Sequence, residues 1–157
     1  MNNEDSLRKQ LVSLLTSSEA HMDVRAELKD FPVKFRDRKP KGAPHTAWQL
    51  LEHMRLAQWD IPRFSSDSKH KSPKFPEGYW PKSETPPSDA AWEGSVKMFL
   101  RDLDEMCALV SDNKRDLFAP IPHGQGQTLL REALLVADHN AYHLGQLVLL
   151  RRTLEGE

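Results

Sequence analysis

The sequence predicts an all-α protein, a four-helix bundle with long crossover connections. Apolar residues recur at steps of three and four in four long stretches, and no segment shows the sustained apolar–polar alternation of a half-buried strand. Segments rich in proline, glycine and serine separate the stretches, and the two longest suit helices that are not neighbours in the order of the chain.

The first helix is expected over residues 6–15, where Leu7, Leu11, Leu14 and Leu15 are helically spaced and Asp5 or Ser6 can cap the start. After Ser17-Ser18 a short helical piece, around residues 21–28, stops before Pro32. The basic stretch 34–41, with Pro40 and Gly42, is expected to be a loop. The second long helix begins at Thr46 as N-cap and carries Trp48, Leu50, Leu51, His53, Met54, Leu56, Ala57 and Trp59. Pro62 is expected to end or kink it. Residues 65–88 are rich in Pro, Ser and Lys but interrupted by Phe75, Tyr79 and Trp80, which predicts an ordered loop pinned by aromatics, of the kind that roofs a site. The third helix starts after Ser88-Asp89 and reaches about Val110, with Trp92, Val96, Phe99, Leu103, Met106 and Val110 on one face. The loop Pro120-Ile121-Pro122-His123-Gly124-Gln125-Gly126 leads into the fourth, opened by Gln127 or Thr128 and continuing to about Leu154.

At 157 residues the chain fits a single domain, residues 1–157, able to bury roughly two thirds of its unfolded surface. A net charge of −1, with both signs mixed along the chain, shows neither a nucleic-acid footprint nor an anionic-membrane patch. The N-terminus is polar and acidic, and no run approaches the roughly 20 apolar residues of a membrane span, so a cytoplasmic protein is expected. The single cysteine, Cys107, excludes an intramolecular disulfide and fits a reducing compartment. Asp104 and Glu105 beside it disfavour a thiolate, and Cys107 is taken as a packing residue.

The chemistry lies in histidines. His139 and His143, in Asp138-His139-Asn140-Ala141-Tyr142-His143-Leu144-Gly145-Gln146, are four apart on a helix and aim both imidazoles at one point. Residues 133–150 are apolar nearly all round, as in a helix buried on several sides. At about 100° per residue, Glu132, Leu135, His143, Gln146 and Leu150 fall within roughly 40° of His139, and the polar members form one stripe. Such a stripe lines a wet cavity, bonds to neighbouring groups or holds an ion, because an unpaired buried polar group costs about 1–3 kcal/mol. An open metal site needs a third protein ligand. His53 is the choice: on the second long helix it lies at the edge of the apolar face made by Leu50, Met54, Ala57 and Ile61, with Gln49 and Asp60 on the polar side.

Trp48-Gln49-Leu50-Leu51-Glu52-His53-Met54 and Asp138 to Gln146 together resemble the DinB-like, or YfiT-like, metal-binding four-helix bundles, and the resemblance covers nearly the whole chain. The family's motif, one histidine on the second helix and His-x-x-x-His on the last, falls on His53, His139 and His143; the loop Pro76-Glu77-Gly78-Tyr79-Trp80-Pro81 is similar to one branch of it. The resemblance implies a homodimer and, from members that use low-molecular-weight thiols, transferase or isomerase chemistry.

Three neutral imidazoles leave a divalent ion strongly Lewis acidic with open positions; zinc or nickel heads the expectation, and iron or copper also fits. The expected activity is thiol S-transfer to small electrophiles, with metal-dependent hydrolysis or a non-catalytic metal- or small-molecule-binding module as alternatives. No residue of the chain serves as nucleophile; a metal-bound water or an external thiol does. Gln49, Asp60, Glu132, Tyr142 and Gln146 are candidates to hold a second imidazole nitrogen or to position substrate. His123 is expected at the surface, and His21, His45 and His70 receive no role.

Overall fold

Helices begin where a side-chain oxygen meets the first free backbone N–H groups, and that decides the element order. In this computed structural model, which describes residues 2–16 and 20–156, Asn2 Oδ1 accepts the Asp5 N–H at 2.8 Å and opens α1 (Asn3–Thr16). Asn2, not Asp5 or Ser6, is therefore the cap, and the helix starts three residues earlier than its apolar spacing suggests. Asp23 caps the short α2 (Val24–Lys29) through the Ala26 N–H. Thr46 opens α3 (Ala47–Ser66) with a reciprocal box: its hydroxyl accepts from Gln49 N at 3.3 Å and Gln49 Oε1 accepts from Thr46 N at 3.1 Å. Ser88 caps α4 (Asp89–Ser111) and Thr128 accepts from Arg131 N at the start of α5 (Leu129–Gly156). No strand forms among the described residues beyond one antiparallel bridge between Pro120 and Thr128.

Pro62 does not end α3, which runs four residues past it. A proline inside a helix removes one i→i−4 bond. Side chains add bonds on the same turns without replacing it: Ser65 Oγ donates to Ile61 O and Ser66 Oγ to Pro62 O, each at 2.8 Å, and Arg63 donates to Trp59 O at 3.2 Å. The basic stretch after residue 33 is also more ordered than a loop. It opens with a 3-10 turn (Val33–Phe35) that buries Phe35, and the Arg36 guanidinium lies over Trp92 while bonding Asp89 at 3.0 Å.

α3 packs against α4 and α5, and α1 packs against the same two helices. The core divides in two. One cluster holds Trp48, Leu51 and Met54 of α3 with Trp92, Phe99 and Leu147; the other holds Leu11, Leu15, Leu103, Met106, Ala133 and Val136. Each such buried aliphatic or aromatic side chain contributes roughly 1.5–3 kcal/mol. Arg8 of α1, itself buried, fastens the end of α4 by donating to Val110 O at 2.7 Å and Asp112 O at 3.1 Å.

Where the clusters adjoin on α3 and α5, the buried side chains turn polar: His53, Gln58, Asn140 and His143. Asn140 Nδ2 donates to Gln58 Oε1 at 2.7 Å and ties the two helices. α5 is not buried on every side. Leu134, Tyr142 and Leu149 are exposed, Leu149 by 67%. No helix of the described residues is long and apolar enough to cross a membrane.

The loop 67–88 is pinned by Tyr79 and Trp80 but not by Phe75, which is 80% exposed. It folds on itself at Gly78, where a β-carbon would stand 2.7 Å from that of Pro73, so only glycine admits the approach.

Candidate metal centre

His139 and His143 stand one turn apart on α5 and His53 meets them from α3. One ring nitrogen from each histidine lies within 4.8 Å of the other two. His53 Nε2 and His139 Nε2 are 3.0 Å apart, near the roughly 3.3 Å that two imidazoles take on one tetrahedral ion with bonds of about 2.05 Å. The rings are inclined to one another by 57–82°, so they meet by their edges and not by stacked faces.

Two of the three rings are oriented through their far nitrogens. His53 Nδ1 lies 2.8 Å from the Tyr79 backbone oxygen. A carbonyl only accepts, so Nδ1 carries the proton and Nε2 keeps its lone pair for the centre. His143 Nδ1 lies 2.8 Å from Gln146 Oε1, one turn further along α5, which leaves its Nε2 free in the same way. Above His53, the Trp80 indole lies parallel at 3.9 Å, and His45 stacks on Trp80 at 4.0 Å.

All three imidazoles are held neutral. Burial, joined by the charge that His143 and His53 would bring, lowers the His139 pKa to about 3. Burial likewise lowers His53 to about 4 against the opposing hydrogen bond that it donates to the Tyr79 carbonyl, and it lowers His143 as well. Neutral imidazole is the form that binds a metal ion, so the donor set fits a divalent transition metal.

A cavity of about 320 Å³ has His53 and His139 in its wall. Ala57, Ile61, Phe64, Phe75 and Leu135 make it apolar on part of its surface; Asp60, Ser72, Tyr79, Gln127, Arg131 and Glu132 bring polar groups. Its size suits a small organic molecule.

Of the residues that the sequence marks around the histidines, Gln146 reaches His143. Gln49 does not reach His53: its side-chain oxygen caps α3, and the Tyr79 carbonyl takes the place expected for it. Asp60 is buried, and its carboxylate accepts from the Tyr79 hydroxyl and lies against His70 Nε2, both at 2.6 Å, without touching an imidazole of the three. Glu132 is buried beside the cavity and accepts from Arg131 at 2.7 Å. Tyr142 is 65% exposed and does not line the cavity; only its ring packs against His143. His123 is tied to the end of α3 through Phe64 O at 2.6 Å. The sequence marks Trp80 only as an aromatic that pins the loop and gives His45 and His70 no role, because no spacing rule ties a loop residue to a particular side chain on a helix. Cys107 packs against the second cluster, half-buried, and burial, then Asp104, pushes its thiol pKa up.

Among known proteins, no curated protein and no solved structure matches the chain. A family model for the DinB superfamily matches residues 17–147, most of the chain and all three histidines. With its all-helical architecture and that match, the chain belongs to the DinB superfamily.

Proposed function

We propose that His53, His139 and His143 hold one divalent transition metal, zinc or nickel first, and that the protein uses it to transfer a low-molecular-weight thiol to a small electrophile. The observation that carries this reading is the convergence of three neutral imidazoles beside a cavity. An ion held only by neutral nitrogens keeps its full charge and open positions, and supplies Lewis acidity that lowers the pKa of a thiol or water bound next to it. The chain's own residues do the rest. His53 and His139 face the cavity, its apolar wall binds the organic part of the substrate, and Arg131 offers donors to a polar end. The one cysteine, with a raised pKa and no place in the cavity, supports a nucleophile from solution. The pairing of α3 and α1 with both α4 and α5 supports a four-helix bundle with long connections as the scaffold.

The test is a panel of electrophiles with several cellular thiols, run on metal-loaded protein. Turnover that requires both metal and thiol supports transfer, turnover of esters or amides without thiol supports hydrolysis, and no turnover with any of them leaves a non-catalytic binding module.

A further inference from the structure

A buried carboxylate is costly unless its oxygens are satisfied, and both oxygens of Asp60 are satisfied by one loop. Asp60 is 7% exposed on α3. Its Oδ1 lies 2.6 Å from His70 Nε2 and its Oδ2 accepts from the Tyr79 hydroxyl at 2.6 Å. His70 stands near the start and Tyr79 near the middle of the segment that separates α3 from α4, so a single side chain gathers the first half of that loop.

Tyr79 is fastened a second time. Its backbone carbonyl accepts from His53 Nδ1 at 2.8 Å. His53 and Asp60 are seven residues apart on α3, which is two turns and about 10 Å along the axis. Tyr79 bridges that distance: its hydroxyl is at Asp60 and its carbonyl at His53. The next residue, Trp80, lays its indole flat on the His53 ring with an interplanar angle of 3°.

We propose that Asp60 is the positioning residue of the histidine centre. It holds the Tyr79 hydroxyl, and so sets the Tyr79 carbonyl against Nδ1 of His53 and the Trp80 indole over its face. The proton is thereby fixed on Nδ1 and the Nε2 lone pair directed toward His139 and His143. A histidine–carbonyl contact alone selects a tautomer; what Asp60 adds is a buried charged partner for the Tyr79 hydroxyl, which Ser72 also meets. The proposal rests on the metal-binding reading for its consequence, but its tautomer claim stands without a metal.

Tyr79→Phe removes the hydroxyl and leaves the ring and the carbonyl, and Asp60→Asn keeps the volume while weakening both bonds. Two readouts apply to each variant. In metal-free protein, nitrogen-15 NMR of the imidazoles reports the His53 tautomer: the wild type is expected as a single Nδ1–H form and both variants as mixtures of tautomers. In a titration with cobalt(II), both variants are expected to bind about tenfold more weakly, with an altered ligand-field spectrum. A wild type with the Nδ1–H tautomer that binds no cobalt overturns the metal reading and leaves the positioning role intact. Variants that keep the wild-type tautomer, and the wild-type cobalt affinity to within about twofold where cobalt binds, overturn the positioning role, whatever happens to their melting temperature. Should Asp60→Asn not fold, Tyr79→Phe decides alone.

Discussion

The Trp80 indole lies on the His53 imidazole, parallel to within 3° and with ring centroids 3.9 Å apart. Tyr79, immediately before it, supplies the carbonyl at the Nδ1 edge of the same ring. Two consecutive loop residues thus define both the face and the edge of one histidine, so the loop 67–88 is part of the centre and not merely a cover over it.

Fluorescence follows from that contact. A paramagnetic ion bound at His53 sits one ring away from Trp80, so copper(II) is expected to quench the wild-type tryptophan emission. Replacing Trp80 with Phe should remove most of that quench although three other tryptophans remain. An equal quench in both proteins would place the copper elsewhere.

Acid acts on the same imidazoles, and the sign is set by their lowered pKa values. His53 at about 4 and His139 at about 3 lie below the 6.5 of an unfolded histidine, so the unfolded chain takes up these protons first. Stability of the metal-free protein is therefore full above about pH 6.5 and falls toward pH 4, by on the order of 2 kcal/mol per histidine at pH 5. A urea-denaturation series from pH 7 to pH 4.5 measures this. The slope should flatten in His139→Gln; the same slope in wild type and variant would show that these histidines are not the titrating groups.

Among the described residues Gln146 is the side chain that holds His143 by its Nδ1, and Gln146→Leu removes that acceptor with little change in volume. Metal affinity is expected to drop by about tenfold with the melting temperature of the metal-free protein nearly unchanged. Competition with a chelator of known affinity gives the number.

Legibility of the fold followed the range of each interaction. Caps such as Thr46 act over three residues, and Thr46 stands where the sequence places it. His139 and His143 are related by one helical turn, which spacing alone reveals. His53 lies 86 positions from His139; its place at the edge of an apolar helix face nominates it, and the motif resemblance joins it to the pair. The contacts of Asp60 with His70 and Tyr79 depend on how a loop folds back on α3, and neither periodicity nor local propensity carries that information. Pro62 does not end α3 because a proline removes a single i→i−4 bond, and the helix continues to Ser66 on those that remain. Leu134 and Leu149 misled because an apolar residue on a helix surface is ordinary and does not by itself mean burial.

The Gln58–Asn140 bond carries a stability prediction independent of the histidines. Gln58 is 1% exposed, and its Nε2 already has no partner. Asn140→Leu also orphans Oε1 and should cost about 1–3 kcal/mol in chemical denaturation. Adding Gln58→Met, which removes the stranded amide, should recover most of that loss. A double variant as unstable as Asn140→Leu would mean that packing, not the unpaired amide, sets the cost.

The central claim is that three histidines form one metal centre. Elemental analysis of protein purified without a histidine tag or added metal, alongside His53→Ala and His139→Ala, tests it most directly. One equivalent of a transition metal in the wild type and none in either variant is the expected result. Wild-type protein that holds no metal even after loading, or variants that retain it in full, would contradict the claim and return the three imidazoles to core packing.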